Sequence, residues 1–597
     1  MQNIKKLSYL LTSDERLRSI LLLIMILIMA LIDMMGIASI LPFIAILTNP
    51  DVIETNTILN TVYQTANSFG IENEQQFLIA MGIFVFLLLI TSISFKALTI
   101  YFQIRFIKTV EYNIATRLLK YYLYQPYSWF LNRNSATLGK TILSEVSNVV
   151  GKGLTPMMNL ITNIITALTL CILLVVVEPK LTSIVIVTIC IFYGLVYRFN
   201  RNLLNRIGKE VFMANEGRFK ILTEAFGASK EVKVGGLEQI YINQFSKPAK
   251  NIAQGTALVN ILSQIPRFTL EAVAFGGMLL IILYYMTITG DIAKVLPIIA
   301  LYAFAGYRLM PALQKIYISL TSLRFVGPAL DSLHDDLKNL KPIIQSEHGD
   351  SLKLNKNIRL KNIHYNYPNA SKTALKNISL SIPANKTIGL VGATGSGKTT
   401  TVDIILGLLD PQEGALEVDG KVINKDNKRA WQRSIGYVPQ QIFLSDNTVA
   451  ANIAFGIDTK KINQEAVECA AKIANLHEFI MNELPLKYQT TVGERGVRLS
   501  GGQRQRIGIA RALYHKPKVL VLDEATSALD NLTEKAVMDA VHNSENDITK
   551  ILIAHRLSTV KNCDKIYLFD KGELKKQGTF EELIKISDDF RESAKNP

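Results

Sequence analysis

The sequence has few cysteines, and their positions exclude two kinds of stabilising scaffold. The four are Cys171, Cys190, Cys469 and Cys563 in a chain of 597 residues. No two of them form a Cys-x-x-Cys pair, so the sequence predicts neither a disulfide framework nor a zinc site. A cleavable signal peptide is also not predicted, because the first apolar run is too long and lacks a clear small-residue cleavage site.

Acidic residues are fewer than basic ones, which leaves a net charge of +15. A chain this basic could bind nucleic acid. However, 49% of the residues are hydrophobic, the mean hydropathy is +0.22, and the basic residues lie largely in loops beside apolar runs. Lysine and arginine in such loops set membrane topology. We therefore expect membrane lipid as a partner and no nucleic acid.

Six apolar runs in the first half are long enough to cross about 30 Å of hydrocarbon. They lie near 19–43, 77–103, 154–177, 181–199, 268–289 and 292–313. The length of the chain requires more than one domain. We predict a transmembrane domain of six helices with two long cytoplasmic loops over 1–325, a linker over 326–352, and a soluble α/β domain over 353–597.

The distribution of charge predicts the orientation of these spans. Residues 48–76 contain no lysine or arginine, whereas 105–152 and 198–250 are rich in both. By the positive-inside rule, the N-terminus, the two long loops and the soluble domain are cytoplasmic. Both loops keep helical periodicity, so we expect helices that extend beyond the bilayer and end in short coupling helices near 125–137 and 223–236.

Two further segments have one apolar helical face. Residues 3–11 are predicted to lie on the membrane surface, before a capping box formed by Thr12 and Glu15. Residues 57–69 are predicted to form an external helix. That helix either lies on the outer membrane surface or packs onto the transmembrane helices, and the sequence leaves both open.

A glycine-rich loop in the soluble half predicts phosphate binding. Its residues are Gly392, Ala393, Thr394, Gly395, Ser396, Gly397, Lys398 and Thr399, followed by Thr400. Such a loop places backbone N–H groups around a phosphate, at the positive end of the helix that follows. Lys398 is expected to reach the β- and γ-phosphates of ATP, and Thr399 to bind Mg²⁺.

Other motifs follow this loop in a fixed order. The buried strand 519–522 ends in Asp523, which suits Mg²⁺ binding, and Glu524, which suits the base that polarises the attacking water. Gln440 is placed to sense Mg²⁺ and the γ-phosphate. Two further candidates have a specific role: Tyr367 could stack on adenine, and His555 could contact the γ-phosphate. The other candidates for nucleotide binding are Asp530 and the residues of the Ser-Gly-Gly-Gln motif, which we call the signature residues: Ser500, Gly501, Gly502 and Gln503.

These motifs together resemble those of ABC transporters of the exporter type. The resemblance implies an α-helical six-span ABC exporter transmembrane domain fused to a P-loop α/β ABC ATPase domain, with ATP and Mg²⁺ as cofactors. In that family ATP lies between two subunits, and Ser500 and Gly502 would act on the ATP of the partner. One chain would then be a half-transporter, in a homodimer or in a heterodimer with a second protein.

Three membrane motifs narrow the resemblance: Gly36–Phe43, Pro266–Glu271 and Tyr307–Pro311. They resemble the PglK-type flippases of bacterial protein N-glycosylation, which move a polyprenyl-pyrophosphate oligosaccharide across the bacterial cytoplasmic (inner) membrane. The resemblance implies that four cations bind this substrate: Lys96, Arg267, Arg308 and Lys315.

Several alternatives stay open for these cations and for the substrate. Each cation could extend to the lipid headgroups instead. Arg267 could form a structural pair with Glu271, four residues along the same helix. The substrate could also be another lipid, of the lipid A type, or a hydrophobic compound.

Overall fold

The computed structural model describes residues 2–68, 71, 73–289, 292–340, 351–368, 370, 372–493, 496–524, 548–554 and 557–595. Contacts within the chain divide it into two compact units. The first unit is Met1–Gln125 with Asn132–Pro342, and the second is Pro126–Leu131 with Ile343–Pro597. The predicted linker contains a helix that belongs to the first unit, and residues 126–131 of the first long loop belong to the second unit.

Helices account for the regular structure of the described chain up to residue 340. They are α1 Gln2–Leu10, α2 Ser13–Ala38, α3 Ile40–Thr48, α4 Val52–Thr55, α5 Thr57–Asn67, α6 Glu74–Leu123, α7 Tyr127–Phe130, α8 Ser135–Lys140, α9 Val146–Val149, α10 Thr155–Val177, α11 Pro179–Gly227, α12 Ser229–Val234, α13 Glu238–Thr289, α14 Ile292–Phe325 and α15 Gly327–Asn339. Two π-helical turns, Thr141–Glu145 and Val150–Leu154, flank α9.

Four helical stretches in the described part of the chain are long and apolar enough to cross a membrane. They are Ser13–Thr48, Glu74–Leu123, Ser135–Val177 and Thr182–Gly227. These stretches contain the first four predicted spans. The fifth and sixth predicted spans lie in α13 and α14, whose side chains are described only in part.

The long loops of the sequence are continuous helices, as their periodicity predicted. Helix α6 runs for 50 residues and α11 for 49, so at 1.5 Å per residue each reaches well beyond a bilayer. Short helices stand where the coupling helices were expected: α7 and α8 follow α6, and α12 follows α11.

The N-terminal amphipathic helix α1 packs part of its apolar face within the protein. Leu7 and Leu10, on its apolar face, are 1% and 2% exposed within the protein. Lys6 pairs with Asp331 of α15 at 2.7 Å, and Asn3 donates a hydrogen bond to the Leu323 carbonyl. The side of α1 that carries Leu7 and Leu10 therefore packs within the protein, while Ile4 and Tyr9 stay exposed, and the contact of α1 with the membrane surface stays a prediction.

The capping box after this helix is confirmed. Thr12 Oγ1 accepts from the Glu15 amide, and Glu15 accepts from the Thr12 amide. Glu15 also accepts a hydrogen bond of 2.7 Å from Asn113 on α6. The start of α2 is therefore fixed to α6 as well as capped.

The external helix α5 packs against the ends of α3 and α6. Leu59 is buried in a cluster with Ile46 and Phe77, and the Tyr63 ring meets Phe77 edge-on at 5.0 Å. Ile58 on the opposite side is 76% exposed. The side of α5 that carries Leu59 therefore packs onto the transmembrane helices, which is one of the two alternatives that the sequence left open.

Two sheets form the framework of the described part of the second unit. An antiparallel sheet has the order β2-β1-β4-β5, and a mostly parallel sheet has the order β10-β9-β3-β8-β7-β6. The strands are β1 Asn357–Tyr365, β2 Leu375–Pro383, β3 Thr387–Gly392, β4 Glu413–Val418, β5 Lys421–Val422, β6 Ile435–Val438, β7 Val519–Asp523, β8 Thr549–Ile553, β9 Lys565–Asp570 and β10 Glu573–Gly578.

Helices of the second unit after residue 390 pack on these sheets. They are α16 Lys398–Ile405, α17 Lys428–Gln432, α18 Val449–Ile453, α19 Gln464–Ile473, α20 His477–Glu483, α21 Gly501–Leu513, α22 Phe580–Ile586 and α23 Asp588–Lys595. One apolar core joins the two sheets around Trp431, and a second joins the parallel sheet to α18–α21. Strands β3, β8 and β7 run parallel, so their carboxyl ends meet at one edge.

A close helix crossing in the first unit generates a test of the packing. A Cβ at Gly208 on α11 would lie 2.2 Å from the Phe325 carbonyl oxygen at the end of α14. Gly208→Ala must therefore separate the two helices, and we expect it to destabilise the protein by about 1–3 kcal/mol. Thermal unfolding of the detergent-solubilised chain measures this.

Gly217→Ala is the matched control on the same helix, because a Cβ there meets nothing within 4 Å. It should leave stability unchanged or raise it by roughly 0.5–1 kcal/mol, since alanine is the better helix former. Equal unfolding temperatures for the two variants would contradict the close crossing.

Candidate functional site

The phosphate loop lies between β3 and α16, at the carboxyl edge of the parallel sheet. Gly392 has a φ of +152°, and a Cβ there would come within 2.2 Å of the Phe569 carbonyl oxygen, so only glycine fits. Lys398 opens α16, and its Nζ donates hydrogen bonds to the carbonyls of Gly392 at 2.7 Å and Ala393 at 3.0 Å. The loop therefore curls around the lysine ammonium group.

Several features of this loop fit a phosphate. Ser396 Oγ is buried with no hydrogen-bond partner, although it lies in the loop itself. The first-turn amides of α16 provide the positive end of a helix. Burial holds the pKa of Lys398 below its usual value, while the carboxylates of Glu524 and Asp523 oppose this shift. A cation, a helix N-terminus and an unused hydroxyl suit an anion with several oxygens.

Two consecutive carboxylates stand at the same edge. Asp523 ends β7 opposite Ile553 of β8, and β8 in turn pairs with β3. Glu524 follows with a φ of +49°, a left-handed conformation that costs about 1 kcal/mol or more for a residue with a side chain. Its Oε2 accepts a hydrogen bond of 2.7 Å from Gln440 Nε2. The fold thus brings Gln440, Asp523 and Glu524 to the lysine of the phosphate loop.

A magnesium site of the predicted kind fits these residues. No cluster of three His, Cys, Asp or Glu side chains that could hold a metal occurs among the described residues. Mg²⁺ usually takes one or two carboxylates and completes its shell with phosphate oxygens and water. Asp523, the exposed Thr399 hydroxyl and the Gln440 amide supply such a sparse oxygen set.

Tyr367 lies beside the helix that follows the phosphate loop. Its hydroxyl shares a hydrogen bond of 3.0 Å with Thr400 Oγ1, and its ring meets the Tyr365 ring edge-on at 5.2 Å. The ring is thereby fixed next to the first turn of α16. Its stacking on adenine stays a prediction.

The signature residues form the start of another helix. Ser500 is the N-cap of α21, and Gln503 closes a capping box with it. Arg511 near the end of α21 donates to the carbonyls of Asn452 and Phe443, and so ties the helix to the chain after Gln440. None of the hydrogen bonds found in the described ranges joins Ser500 to Lys398 or Glu524. Asp530 and His555 lie outside the described residues.

A third carboxylate near this edge was not predicted as part of the site. Asp403 on α16 is buried, and burial, with the nearby charge of Asp523, raises its pKa to about 6. The sequence carried one signal of it, an aspartate between Val402 and Ile404 in an apolar helix. Its side chain is buried on the core side of α16, and its charge interacts with that of Asp523 in the site.

Two of the four predicted substrate cations act electrostatically on a third in the first unit. Lys96 on α6 experiences the charges of Arg308 and Lys315 on α14 and of Asp33 on α2. We call Lys96, Arg308 and Lys315 the cation cluster. Arg267 differs, because its Nε donates to Glu271 at 2.7 Å in the pair that the sequence left open.

Comparisons with known proteins cover both units. Residues 22–312 match the family model of the ABC transporter transmembrane region, and residues 375–527 match that of the ABC transporter. The chain is 32% identical over 483 residues to an "ATP-dependent lipid A-core flippase" of Saccharophagus degradans, with 79% of each chain covered. It is 30% identical to a "Heterocyst differentiation ATP-binding protein HepA" of a Nostoc species, over 83% of this chain and 81% of that one.

A solved structure shares the fold of the chain. It is titled "Structure of a bacterial Atm1-family ABC exporter with ATP bound" and has a TM-score of 0.78 at 21% identity. The match covers 97% of this chain and 99% of the other. The predicted architecture of a helical transmembrane domain fused to a nucleotide-binding α/β domain is therefore confirmed.

The raised pKa of Asp403 predicts a pH-dependent stability. Its native pKa of about 6 exceeds its ordinary value, so this carboxyl stabilises the fold at low pH and loses that effect as the pH rises through 6. At pH 7.5 the buried charge costs up to roughly 3 kcal/mol. Asp403→Asn should therefore raise the unfolding temperature at pH 7.5, with a smaller gain at pH 5.

Asp426→Asn is the control, because it makes the same chemical change at an exposed position. It should shift the unfolding temperature little at either pH. A gain from Asp403→Asn that is the same at pH 5 and pH 7.5 would contradict the assignment.

Proposed function

Because this chain belongs to the ABC transporters, as a half-transporter of the exporter type and an ATP-hydrolysing translocase, we propose that it is a lipid flippase. Its substrate is a polyprenyl-pyrophosphate oligosaccharide, which it moves across the cytoplasmic membrane of a bacterium. The protein is a multi-pass membrane protein whose N-terminus and ATPase domain lie in the cytoplasm.

The observation that carries this proposal is the cation cluster in the membrane-spanning helices. Lysine and arginine inside hydrocarbon are costly and usually face a partner or a pathway. Arg308 and Lys315 on α14 both act electrostatically on Lys96, which lies on a different helix, α6. A neutral hydrophobic compound gives such a cluster no partner, whereas a phosphate-bearing headgroup does.

The ATP site supplies the energy for this movement. Lys398 and the Ser396 hydroxyl bind phosphate oxygens, and Glu524 acts as the base on the attacking water. Gln440 holds the Glu524 carboxylate in position through the 2.7 Å hydrogen bond. Thr399, Asp523 and Gln440 would hold Mg²⁺, which would supply positive charge against the phosphates. In this proposal His555 contacts the γ-phosphate, and Asp530 is one of the nucleotide-binding residues, as the sequence predicts.

A second copy of the chain completes the site in this proposal. The signature residues Ser500–Gln503 form the start of a separate helix, α21, whose N-cap is Ser500. Every ATPase motif of the sequence is intact, which favours two equivalent sites in a homodimer. A heterodimer with a related half-transporter is the alternative.

The first long loop provides a route for coupling. Its segment Pro126–Leu131, which contains α7, belongs to the second compact unit although the sequence on both sides belongs to the first. Burial raises the pKa of Tyr127 in this segment, and the nearby charge of Asp403 on α16 adds to that increase. This segment is continuous in sequence with α6 and α8, which makes it the candidate for coupling.

A lipid of the lipid A type is the second candidate substrate. The Saccharophagus degradans relative is called a lipid A-core flippase, and 79% of each chain is covered. Such a lipid also presents phosphate groups on a glycan, so the same cation cluster could bind it. The two candidates differ in the tail and in the position of the phosphates.

Translocation in proteoliposomes tests the proposed function. We expect ATP-dependent movement of a labelled undecaprenyl-pyrophosphate glycan by the wild type. Glu524→Gln should slow ATP hydrolysis and translocation by roughly 10²–10⁴-fold, because it removes the base. ATP binding should be retained, since Lys398 and the phosphate loop are intact.

A parallel reaction with a labelled lipid A separates the two candidates. Movement of lipid A alone would replace the proposed substrate by the second one. Near-wild-type translocation by Glu524→Gln would contradict the role given to Glu524. Intact ATPase activity with movement of neither lipid would contradict the flippase proposal itself.

A further inference from the structure

One buried carboxylate lies among the cations of the membrane-spanning helices. Asp33 on α2 is 3% exposed, far from the exposed ends of its span. Its Oδ1 accepts a hydrogen bond of 2.9 Å from Ser92 Oγ on α6 and lies 3.5 Å from Arg308 Nη2 on α14. The charge of Asp33 also acts on Lys96. Three helices therefore meet around this single carboxylate.

Cations outnumber carboxylates among the groups that act on Lys96. Lys96, Arg308 and Lys315 against Asp33 leave a net charge of +2 in this set. Such an excess of positive charge beside the spans favours a ligand with negative charge. A pyrophosphate diester carries two ionised phosphates at neutral pH, which would balance the cluster without removing Asp33.

The geometry of the Asp33–Arg308 pair suits exchange. Its 3.5 Å separation is longer than the 2.7–2.9 Å that is typical of a charge-assisted hydrogen bond. Arg308 keeps 19% of its side chain exposed, whereas Asp33 keeps 4%. Ser92 donates a hydrogen bond to the carboxylate, and the guanidinium is the more exposed member of the pair. Its planar fork can bind two phosphate oxygens at once.

We propose that Asp33 is an internal counter-ion that competes with the substrate headgroup for Arg308. Before the headgroup arrives, Asp33 neutralises Arg308 and lowers the cost of its charge in the membrane. The headgroup phosphate then takes Arg308, and Asp33 recovers it when the substrate leaves. Asp33 thus weakens binding and speeds release, which a transporter requires for turnover. This inference rests on the proposed function and names the residue that sets substrate release.

Asp33→Asn tests this role in the full chain. Asparagine still accepts the Ser92 hydrogen bond but no longer competes for Arg308. Using undecaprenyl pyrophosphate as the probe, we expect about tenfold tighter binding, the factor that corresponds to about 1.4 kcal/mol. We also expect slower translocation at saturating probe. Wild-type or weaker affinity in a folded Asp33→Asn variant would overturn the proposal.

Asp51→Asn is the matched control. It makes the same chemical change at an exposed position outside the predicted spans and leaves the cation cluster intact. Affinity and translocation should both stay within about twofold of the wild type. A tightening equal to that of Asp33→Asn would show a general effect of added positive charge, and would overturn the specific role of Asp33.

Ser92→Ala keeps the proposal testable if Asp33→Asn does not fold. It removes the hydrogen bond at 2.9 Å and leaves the carboxylate free to bind Arg308 more closely. Binding should then weaken by about threefold, opposite in sign to Asp33→Asn. Unchanged affinity would overturn the proposal.

The wild-type arm separates this inference from the proposed function. If the wild type binds undecaprenyl pyrophosphate and the variants do not differ from it, only the counter-ion role of Asp33 fails. If the wild type binds neither undecaprenyl pyrophosphate nor lipid A, the proposed function fails, and the inference that rests on it fails too.

Discussion

Charge and backbone polarity inside hydrocarbon constrain the membrane half of this protein. Every N–H and C=O within the bilayer needs an internal partner, and a helix provides one for each. The helices that contain the spans are up to 52 residues long. The same constraint applies to side chains: Asp33 is retained in α2 together with Ser92 and Arg308 as partners. A polar network of this kind, supplied by three helices, links the packing of the spans to the chemistry of the headgroup that we propose they bind.

The soluble half depends on a different constraint, the alignment of parallel strands. Pairing of β3, β8 and β7 brings the phosphate loop and the two carboxylates to one edge, although about 130 residues of sequence separate them. Local geometry then orients each group. Gly392 allows the chain to pass the Phe569 carbonyl, and Gln440 donates a hydrogen bond to the Glu524 carboxylate. Burial of Asp403 beside this edge adds a charge whose cost depends on pH.

Much of the fold could be predicted from the sequence because its signals are periodic or local. Apolar runs predicted the first four spans, and helical periodicity predicted the extensions of α6 and α11. The capping residues Thr12 and Glu15 predicted the start of α2. Contacts between distant segments could not be predicted. The covering of α1 by α15, the meeting of Asp33 with Arg308, and the burial of Asp403 all depend on tertiary packing. The sequence predicted that four cations bind the substrate as one set. In the structure three of them form the cation cluster, and Arg267 pairs separately with Glu271.

The most direct test of the central claim is the ATPase rate of the reconstituted wild type against the charge of the headgroup. Three lipids with the same undecaprenyl tail serve as probes: the alcohol, the monophosphate and the pyrophosphate. If the cation cluster recognises an anionic headgroup, stimulation should be absent for the alcohol, intermediate for the monophosphate and largest for the pyrophosphate. Equal stimulation by all three would show that the tail alone is recognised, and would contradict an account built on Lys96, Arg308 and Lys315.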